Sequence, residues 1–425
     1  MDENYSQREA PPGSGKAVPR GRQESQRGIH TMTASSAITE NTQVRENPYP
    51  GQATITTLNS NKWTTFPANA SQISYKGRWD DQHISWWSAP GLVVGFTGED
   101  LAVSFGNWTD DAVLLAYRVD GQDWQFSNVT ANASYQFINA ATTGLNLTNS
   151  TNTKRFEFRV TNWSYGVQIQ SISVSSGQKL VSIPTRPKTV EIIGDSLSAG
   201  QYATYEAISS WSWGFAEGLG DAEYSITAYP GICLVDANCW GNPHGQTFQW
   251  YRTSDTSGRA IDLYGDNPPH WNFATHPAAD LTVINIGTND NNTHNNVSAP
   301  AFQQSYIDLI KGIHQVWPQT QIIIFSLWSG FSAVGSTYVQ GAGFLTEIEN
   351  VYNHFADQGF VHYFNTTGIL QHNDIGPLYH PTDVGHIKVA SHLLQYVRLQ
   401  FDWDLLATGP EVQSDTLYWN DQSSY

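Results

Sequence analysis

A serine that follows a short, largely apolar run is placed where it could do covalent chemistry. The run Val190–Ile193 has the composition of a buried strand in a parallel sheet, and the chain then turns through Gly194 and Asp195 to Ser196. Open α/β sheets bind ligands at the carboxyl ends of their strands, which is a suitable place for a nucleophile. The stretch is not the Gly-x-Ser-x-Gly elbow of α/β-hydrolases, because Ser198 stands two residues after Ser196. A Gly-Asp-Ser turn alone has low specificity, so its partners must come from elsewhere in the chain.

Three later stretches supply those partners. Gly231 follows the second predicted strand and has no side chain in front of its backbone amide, while Asn289 follows the third and can direct its side-chain amide into the same crevice. His380 precedes the last predicted helix and can act as a base. A serine hydroxyl needs an adjacent base, and a tetrahedral intermediate needs fixed hydrogen-bond donors. We therefore predict acyl transfer, with Ser196 as nucleophile, His380 as base and an oxyanion hole formed by the amides of Ser196 and Gly231 and the side chain of Asn289.

These four stretches also carry a family resemblance. Gly194–Leu197, Gly231, Gly287–Asp290 and His380–Pro381 match, in order, the four sequence blocks of the SGNH (or GDSL) hydrolases. With the β-type region that precedes them, they resemble carbohydrate esterase family 2. The resemblance covers about residues 55 to 400 and implies an α/β/α sandwich with a five-stranded parallel sheet. It also implies removal of O-acetyl groups from plant polysaccharides such as acetylated xylan or mannan.

The chain departs from the family pattern at the residue expected to orient the histidine. That pattern places an aspartate three residues before the histidine, where this chain has Pro377. Asp374 is six residues upstream of His380. Either a backbone carbonyl orients His380, giving a Ser–His dyad, or Asp374 reaches back across the turn. Because esterases of this family include dyads, we favour the carbonyl.

Other residues define the expected surroundings of the site. Trp240 and Trp328 are candidate platforms for a sugar ring, with core or rim packing as the alternative for each. Cys233 and Cys239 follow Gly231 closely, and a disulfide between them would stiffen the donor loop, with two inert thiols as the alternative. No His-Glu-x-x-His pattern occurs, and we predict neither a metal nor a cofactor. Two rival functions stay open: a GDSL-type lipase or aryl esterase, and a non-catalytic carbohydrate-binding protein on an esterase scaffold.

The periodicity of the chain predicts four segments. Residues 1–50 have no apolar periodicity and are expected to be disordered. Residues 51–184 contain short alternating runs typical of an all-β sandwich or jelly roll, with Pro184–Pro187 as a linker. Residues 188–405 alternate strand-like and helical patterns, which indicates a mostly parallel sheet covered by helices, the expected SGNH hydrolase domain. Residues 406–425 are expected to form a poorly structured tail.

Composition bounds the partners and the compartment. A net charge of −17 over 425 residues argues against nucleic acid and anionic membranes, and no run of 18 apolar residues is present. Residues 1–47 contain no apolar segment resembling a signal peptide. The sequence nevertheless has ten Asn-x-Ser/Thr sequons, which favour a secreted, N-glycosylated protein. The sequons are at Asn69, Asn107, Asn128, Asn132, Asn146, Asn149, Asn162, Asn291, Asn296 and Asn365.

Overall fold

Two antiparallel sheets packed face to face form the first half of the described chain. A computed structural model describes residues 36–40, 43–44, 53–142, 152–163, 165–256, 258–341, 343–406 and 415–419. One sheet has the strand order Gln125–Val129, Val113–Val119, Lys154–Val160, Gly91–Phe96 and Leu180–Val181, and Ser74–Lys76 also pairs with Gly91–Phe96. The other has the order Thr54–Ile55, Ser134–Ile138, Leu101–Phe105, Val167–Ser175 and Trp63–Pro67, and Ile84–Ser85 also pairs with Val167–Ser175. This arrangement confirms the predicted β-sandwich.

One strand of the sandwich is buried on both faces. In Val113–Val119 every residue is buried. Leu115 belongs to the core between the two sheets. Leu114, on the opposite face, packs with Tyr205 of the second half of the chain. The outer face of the strand is therefore covered by the following domain and not by water.

A five-stranded parallel sheet organises the second half, as predicted. Its strands are β1 (Lys188–Gly194), β2 (Ala222–Ala228), β3 (Leu281–Asn285), β4 (Gln321–Phe325) and β5 (Val361–Phe364), arranged in the order β2-β1-β3-β4-β5. The helices are α1 (Ser196–Ala199), α2 (Trp211–Leu219), α3 (Gln246–Gln249), α4 (Gly258–Tyr264), α5 (Ala299–Val316), α6 (Leu345–Phe355) and α7 (Asp383–Phe401). Helices α2 and α7 pack together on one face, and α5 and α6 on the other. The result is a three-layer α/β/α domain.

Local sequence explains why these helices cover the sheet. Helix α5 begins after Ser298, whose side chain accepts a hydrogen bond from the amide of Ala301, and Pro300 lies in its first turn. Its apolar stripe is buried, with Phe302, Tyr306, Leu309, Ile310 and Ile313 facing the core. In the described part of the chain, 3-10 turns lie between the larger elements at Glu206–Ser209, Phe273–Thr275, Thr293–Asn295, Ala356–Gln358, His372–Asp374 and Pro377–Tyr379. Among the described helices, none has the length and hydropathy of a membrane span.

Two segments expected to lack structure contribute strands. Ser36–Glu40 pairs antiparallel with Gln43–Val44 and with Asp415–Trp419. The predictions of disorder for residues 1–50 and of a poorly structured tail for 406–425 are therefore wrong for these ranges. A strand whose partner lies hundreds of residues away cannot be recognised from its own short sequence. The other residues of these two segments lie largely outside the described residues.

Buried ion pairs join the two domains. Glu157 of the sandwich is fully buried and lies 3.0 Å from Arg118 and 3.3 Å from Arg159. Burial opposes its ionisation, but the neighbouring guanidinium groups outweigh burial and hold the pKa of Glu157 well below its usual range. Arg118 also reaches Glu217 of α2, at 3.0 Å. Further pairs cross from Lys76 to Glu223 on β2, at 2.5 Å, and from Arg78 to Glu191 on β1, at 2.8 Å.

Candidate active site

Ser196 lies in the turn between the first parallel strand and the helix that follows it. Asp195 caps α1, and its Oδ1 accepts a hydrogen bond from the amide of Leu197 at 3.0 Å. Gly194 does not adopt a positive φ. The glycine is required instead for close packing, because a Cβ there would lie 2.1 Å from Oγ of Ser198. The turn thus presents Ser196 at the carboxyl end of β1, as the sequence predicts.

His380 meets Ser196 across this edge of the sheet. Its Nε2 lies 2.8 Å from Oγ of Ser196, and its Nδ1 lies 2.8 Å from the carbonyl oxygen of Leu378. A carbonyl can only accept, so Nδ1 carries the proton and donates it to Leu378. Nε2 is then unprotonated and accepts from the serine hydroxyl, which is the arrangement that a general base requires. The ring of Tyr202 approaches the imidazole edge-on, with 5.0 Å between centroids.

Asp374 has a different set of partners. Its carboxylate pairs with Nζ of Lys388 at 2.6 Å and accepts from the amide of Gln371 at 2.8 Å. Its carbonyl oxygen accepts from the amide of Thr382 at 2.8 Å. Of the two alternatives for orienting His380, the structure has the backbone carbonyl, that of Leu378, in contact with Nδ1, and the carboxylate of Asp374 bonds elsewhere. Asp374 instead bonds to residues on both sides of His380 in the chain, Gln371 before it and Thr382 and Lys388 after it, and so stabilises the loop that carries the histidine.

The backbone of that loop explains how a carbonyl reaches the imidazole. Leu378 and Tyr379 have φ values of 51° and 64°, in the left-handed region that residues with a Cβ rarely adopt. Each such residue is disfavoured by about 1–2 kcal/mol. The amide of Gly376 donates to the carbonyl of His380 at 2.6 Å, closing the loop at its base. This reversal of chain direction turns the carbonyl of Leu378 back toward the ring of His380.

The three expected oxyanion donors follow the ends of three adjacent strands. Gly194 at the end of β1 pairs with Ala228 of β2 on one side and with Asn285 of β3 on the other. Gly231 and Asn289 follow those strand ends closely, so they flank Ser196 from opposite sides. Nδ2 of Asn289 donates to the carbonyl of Ile232 at 2.9 Å, which brings its side chain to the residue after Gly231 and leaves a second N–H on the same amide. Gly231 has a φ of +80°, which only glycine adopts readily.

A disulfide and a buried carboxylate hold the loop after Gly231. Cys233 and Cys239 form the predicted disulfide. Asp290 accepts from the amides of Leu234 at 2.7 Å and Val235 at 3.0 Å. Burial raises the pKa of Asp290 to about 6, despite these hydrogen bonds. Asp290 therefore stabilises the loop that follows Gly231.

Asp195 is a second buried carboxylate beneath the site. Burial raises its pKa to about 7. The amide of Leu197 and the backbone and hydroxyl of Thr288 act in the opposite direction, whereas the charge of Asp290 adds to the increase. Asp195 therefore titrates near neutral pH, in the same pH range as an ordinary histidine.

Residues 192–387 match the model of the GDSL-like lipase/acylhydrolase family. The second half of this chain is a GDSL-like lipase/acylhydrolase domain. It is the domain of a carboxylic ester hydrolase. Comparison with curated protein sequences finds no match.

Solved structures of similar fold extend over both domains. A family two carbohydrate esterase from Clostridium thermocellum, in complex with cellohexaose, has a TM-score of 0.62 at 19% identity, over 78% of this chain and 100% of that one. A family two carbohydrate esterase from Cellvibrio japonicus has a TM-score of 0.62 at 17% identity, over 80% and 98%. The acetyl xylan esterase Est2A from Butyrivibrio proteoclasticus has a TM-score of 0.61 at 18% identity, over 80% and 100%. At these identities the likeness establishes a common fold, of a β-sandwich followed by a GDSL-like domain.

The two candidate platforms for sugar in this GDSL-like domain differ in exposure. Trp240 is 41% exposed and stacks on His294, with 4.6 Å between ring centroids and 13° between ring planes. A Cβ on Gly231 would lie 3.3 Å from Cβ of Trp240, so this tryptophan borders the predicted donor loop. Trp328 is only 2% exposed and belongs to the core, so the expectation that its ring faces substrate is wrong. The chain after β4 turns this side chain inward.

A buried glutamine that belongs to no recognised sequence motif connects two strands at the site. Gln246 at the start of α3 is fully buried, and its Nε2 donates to the carbonyls of Gly194 at 3.1 Å and of Thr227 at 2.7 Å. It thereby joins the ends of β1 and β2, from which the loops of Ser196 and Gly231 depart. Its loop sequence contains no recognisable pattern, and only the three-dimensional contact reveals its place in the GDSL-like domain.

A second histidine near the site, His386, is buried and connects two helices. His386 is buried in α7, and its Nδ1 accepts from the amide of Trp211 at 3.1 Å. Burial, and to a lesser degree the proximity of His380, lower the pKa of His386 to about 3, so the ring is neutral. Within the described residues, no group of three or more His, Cys, Asp or Glu side chains is arranged to hold a metal ion.

Proposed function

We propose that this protein is a serine esterase that removes O-acetyl groups from carbohydrate through an acyl-enzyme. The observation that carries the proposal is the 2.8 Å contact between Oγ of Ser196 and Nε2 of His380. In the first step Oγ of Ser196 attacks the acetyl carbonyl carbon while His380 takes the hydroxyl proton. The oxygen of the tetrahedral intermediate accepts hydrogen bonds from the amides of Ser196 and Gly231 and from the side chain of Asn289.

The second half of the reaction uses the same residues. The intermediate collapses, the bond from the acyl carbon to the sugar oxygen breaks, and His380 returns its proton to that oxygen. A water molecule then attacks the acetyl-Ser196 ester while His380 accepts its proton, and collapse releases acetate and restores the serine. Throughout, Nδ1–H of His380 donates to the carbonyl of Leu378, which keeps the ring oriented while its charge changes.

Exposed aromatic rings support carbohydrate as the leaving group. Trp240 lies beside the donor loop, and Tyr379 directly precedes His380 with half of its surface exposed. Flat aromatic surfaces suit the apolar faces of sugar rings. Similar folds include an esterase solved with cellohexaose and an acetyl xylan esterase. Acetylated xylan or mannan is therefore the proposed substrate class, and the net charge of −17 speaks against nucleic acid or an anionic membrane as partner.

An extracellular, N-glycosylated protein is the proposed context. Six of the sequon asparagines are exposed, at positions 69, 107, 132, 291, 296 and 365. Asn162 is an exception: it is only 4% exposed, and its side chain bonds to Leu114 and Glu206. A glycan there is incompatible with the folded domain. Asn146 and Asn149 lie outside the described residues. The disulfide between Cys233 and Cys239 also suits an oxidising compartment.

Acetate release from defined substrates tests the proposal. The full chain is incubated with acetylated xylan, acetylated glucomannan and acetylated pectin, and free acetate is measured. We expect release from xylan or glucomannan, and a loss of about 10³-fold or more in Ser196→Ala. Retention of full activity by Ser196→Ala would contradict the mechanism.

Two further readouts separate the rival functions. With one leaving group, rates on acetyl and on long-chain acyl esters are compared, and a preference for long chains would indicate a lipase. Binding of glycan without any acetate release would indicate a carbohydrate-binding protein on an esterase scaffold.

A further inference from the structure

The β-sandwich is joined to the catalytic sheet at one edge strand. Strand β2 is the first in the order of the parallel sheet, and the loop that carries Gly231 begins where it ends. Ser88 of the sandwich forms an antiparallel bridge with Ile226 of β2. Oγ of Ser88, which is 2% exposed, donates to the carbonyl of Ala228 at 2.8 Å. The sandwich thus continues the sheet on the side of β2 opposite to β1.

A second contact reaches the residue that follows the strand. Trp163 of the sandwich meets the ring of Tyr229 edge-on, with 5.6 Å between centroids and 90° between planes. Both side chains are buried. Together, Ser88 and Trp163 fix two consecutive residues, Ala228 and Tyr229, and Gly231 is two residues further along the chain.

The chemistry of an oxyanion hole makes this attachment important. A donor contributes only if it is held in advance within about 0.5 Å of its productive position. The amide of Gly231 is carried at the end of an edge strand, which has a partner strand of the parallel sheet on one side only. Beyond Gly231, Asp290 and the disulfide hold the loop. Before Gly231, Ser88 and Trp163 of the sandwich contact Ala228 and Tyr229, and Nδ2 of Asn242 donates to the carbonyl of Pro230 at 3.3 Å.

We propose that the β-sandwich is a positioning element of the catalytic centre: through Ser88 and Trp163 it holds the end of β2 so that the amide of Gly231 faces the oxyanion. The sandwich then acts on the chemical step and need not bind glycan. The inference rests on the proposed ester hydrolysis, because it concerns the intermediate of that reaction.

A pair of serine variants in the full chain tests it. Ser88→Ala removes the bond to Ala228, and Ser85→Ala is the matched control. Ser85 is equally buried, lies three residues earlier, and its Oγ donates at 2.5 Å to the carbonyl of Arg78, which is not part of the catalytic sheet. On a small acetyl ester we expect Ser88→Ala to lower kcat about five- to tenfold with KM unchanged, because the donor is displaced by a fraction of an ångström. Ser85→Ala should keep the wild-type kcat.

Two additional measurements distinguish positioning from general destabilisation. Affinity for a boronic acid, which forms a tetrahedral adduct on the serine, should fall in Ser88→Ala by the same factor as kcat. Amide hydrogen exchange in residues 226–235 should become faster in Ser88→Ala, and not in Ser85→Ala. Trp163→Phe replaces the indole with a smaller ring and so reduces the contact with Tyr229. Like Ser88→Ala, it should lower kcat and make amide exchange faster.

Each outcome has a defined meaning. If the wild type hydrolyses acetyl esters but Ser88→Ala behaves like Ser85→Ala in kcat and exchange, the positioning role is overturned. A rise in KM on polysaccharide alone would also overturn it and would assign glycan binding to the sandwich. If both the wild type and Ser85→Ala are inactive, the proposed function fails, and unchanged exchange in Ser88→Ala would then separately reject the attachment of the donor loop.

Discussion

Nδ1 of His380 lies 2.8 Å from the carbonyl oxygen of Leu378, only two residues earlier in the chain. The histidine is thus oriented by the backbone of its own loop and not by a carboxylate. The nearby acid, Asp374, forms an ion pair with Lys388 at 2.6 Å. The carbonyl of Leu378 therefore orients the histidine, whereas the carboxylate of Asp374 stabilises the loop. Mutation of Asp374 can separate these two effects.

Asp374→Asn should leave kcat within about threefold of the wild type, because no proton or charge of Asp374 reaches the imidazole. The variant should melt at a lower temperature, since Lys388 loses a partner that is almost fully buried. Steady-state kinetics and thermal melting measure the two effects, with the exposed Asp357→Asn as control. A fall of about 10³-fold or more in kcat would instead place Asp374 in a catalytic triad.

Gly231→Ala and Gly177→Ala form a matched pair. Both glycines have similar positive φ values, +80° and +76°, so alanine strains the backbone by a similar amount of about 1 kcal/mol at each site. A Cβ at Gly177 meets open space, whereas one at Gly231 lies 3.1 Å from Nδ2 of Asn242. Both variants should lose stability, but only Gly231→Ala should lose kcat, by about 10- to 100-fold. Equal kcat values in the two variants would remove Gly231 from the oxyanion hole.

Stability should decline with pH through the titration of Asp195. Its pKa of about 7 lies above the value of about 4 expected in the unfolded chain. The folded state therefore holds the proton more tightly, so this contribution is fully present below about pH 4 and is lost as pH rises through 7. Asp195→Asn keeps a side chain able to cap α1 but cannot ionise. Its free energy of unfolding should fall less between pH 4 and pH 8 than that of the wild type, measured by urea denaturation; parallel curves would contradict this.

Trp240→Ala should separate binding of polymer from chemistry. Loss of one stacking surface corresponds to about 1 kcal/mol, or roughly a fivefold rise in KM on acetylated polysaccharide. kcat/KM on a small aryl acetate should stay close to the wild-type value, because that substrate does not extend to the ring. Leu399→Ala, at an 86% exposed position on α7, is the control. An equal loss on both substrates would mean that Trp240 supports the donor loop and not the sugar.

The placement of the candidate site residues at one edge of the parallel sheet was predictable from the sequence. Ser196, Gly231, Asn289 and His380 each follow a strand or precede a helix, and parallel strands bring such positions together. The runs Gln321–Phe325 and Val361–Phe364 are rich in β-branched and aromatic residues, as strands are, and each forms a strand of the parallel sheet.

Contacts that depend on distant parts of the chain were not predictable. Trp328 follows a strand just as the site residues do, but its side chain points into the core, and sequence position does not reveal that direction. The partner of His380 is a backbone carbonyl, which every residue possesses, so no residue type could mark it. Gln246 and Ser88 bond to backbone carbonyls of other elements and have no sequence pattern of their own.

The ion pairs between the two domains determine how this enzyme can be divided. The segment Pro184–Pro187 is the obvious place to cut the chain, and a fragment starting at Lys188 would contain the proposed nucleophile, base and three oxyanion donors. It would also contain Glu191, Glu217 and Glu223 without Arg78, Arg118 and Lys76, the cations that neutralise them. Unpaired acids in an apolar surface favour unfolding. The catalytic half is therefore not a portable module: any fusion, shuffled chimera or minimal esterase built from this sequence has to carry both domains as a single unit.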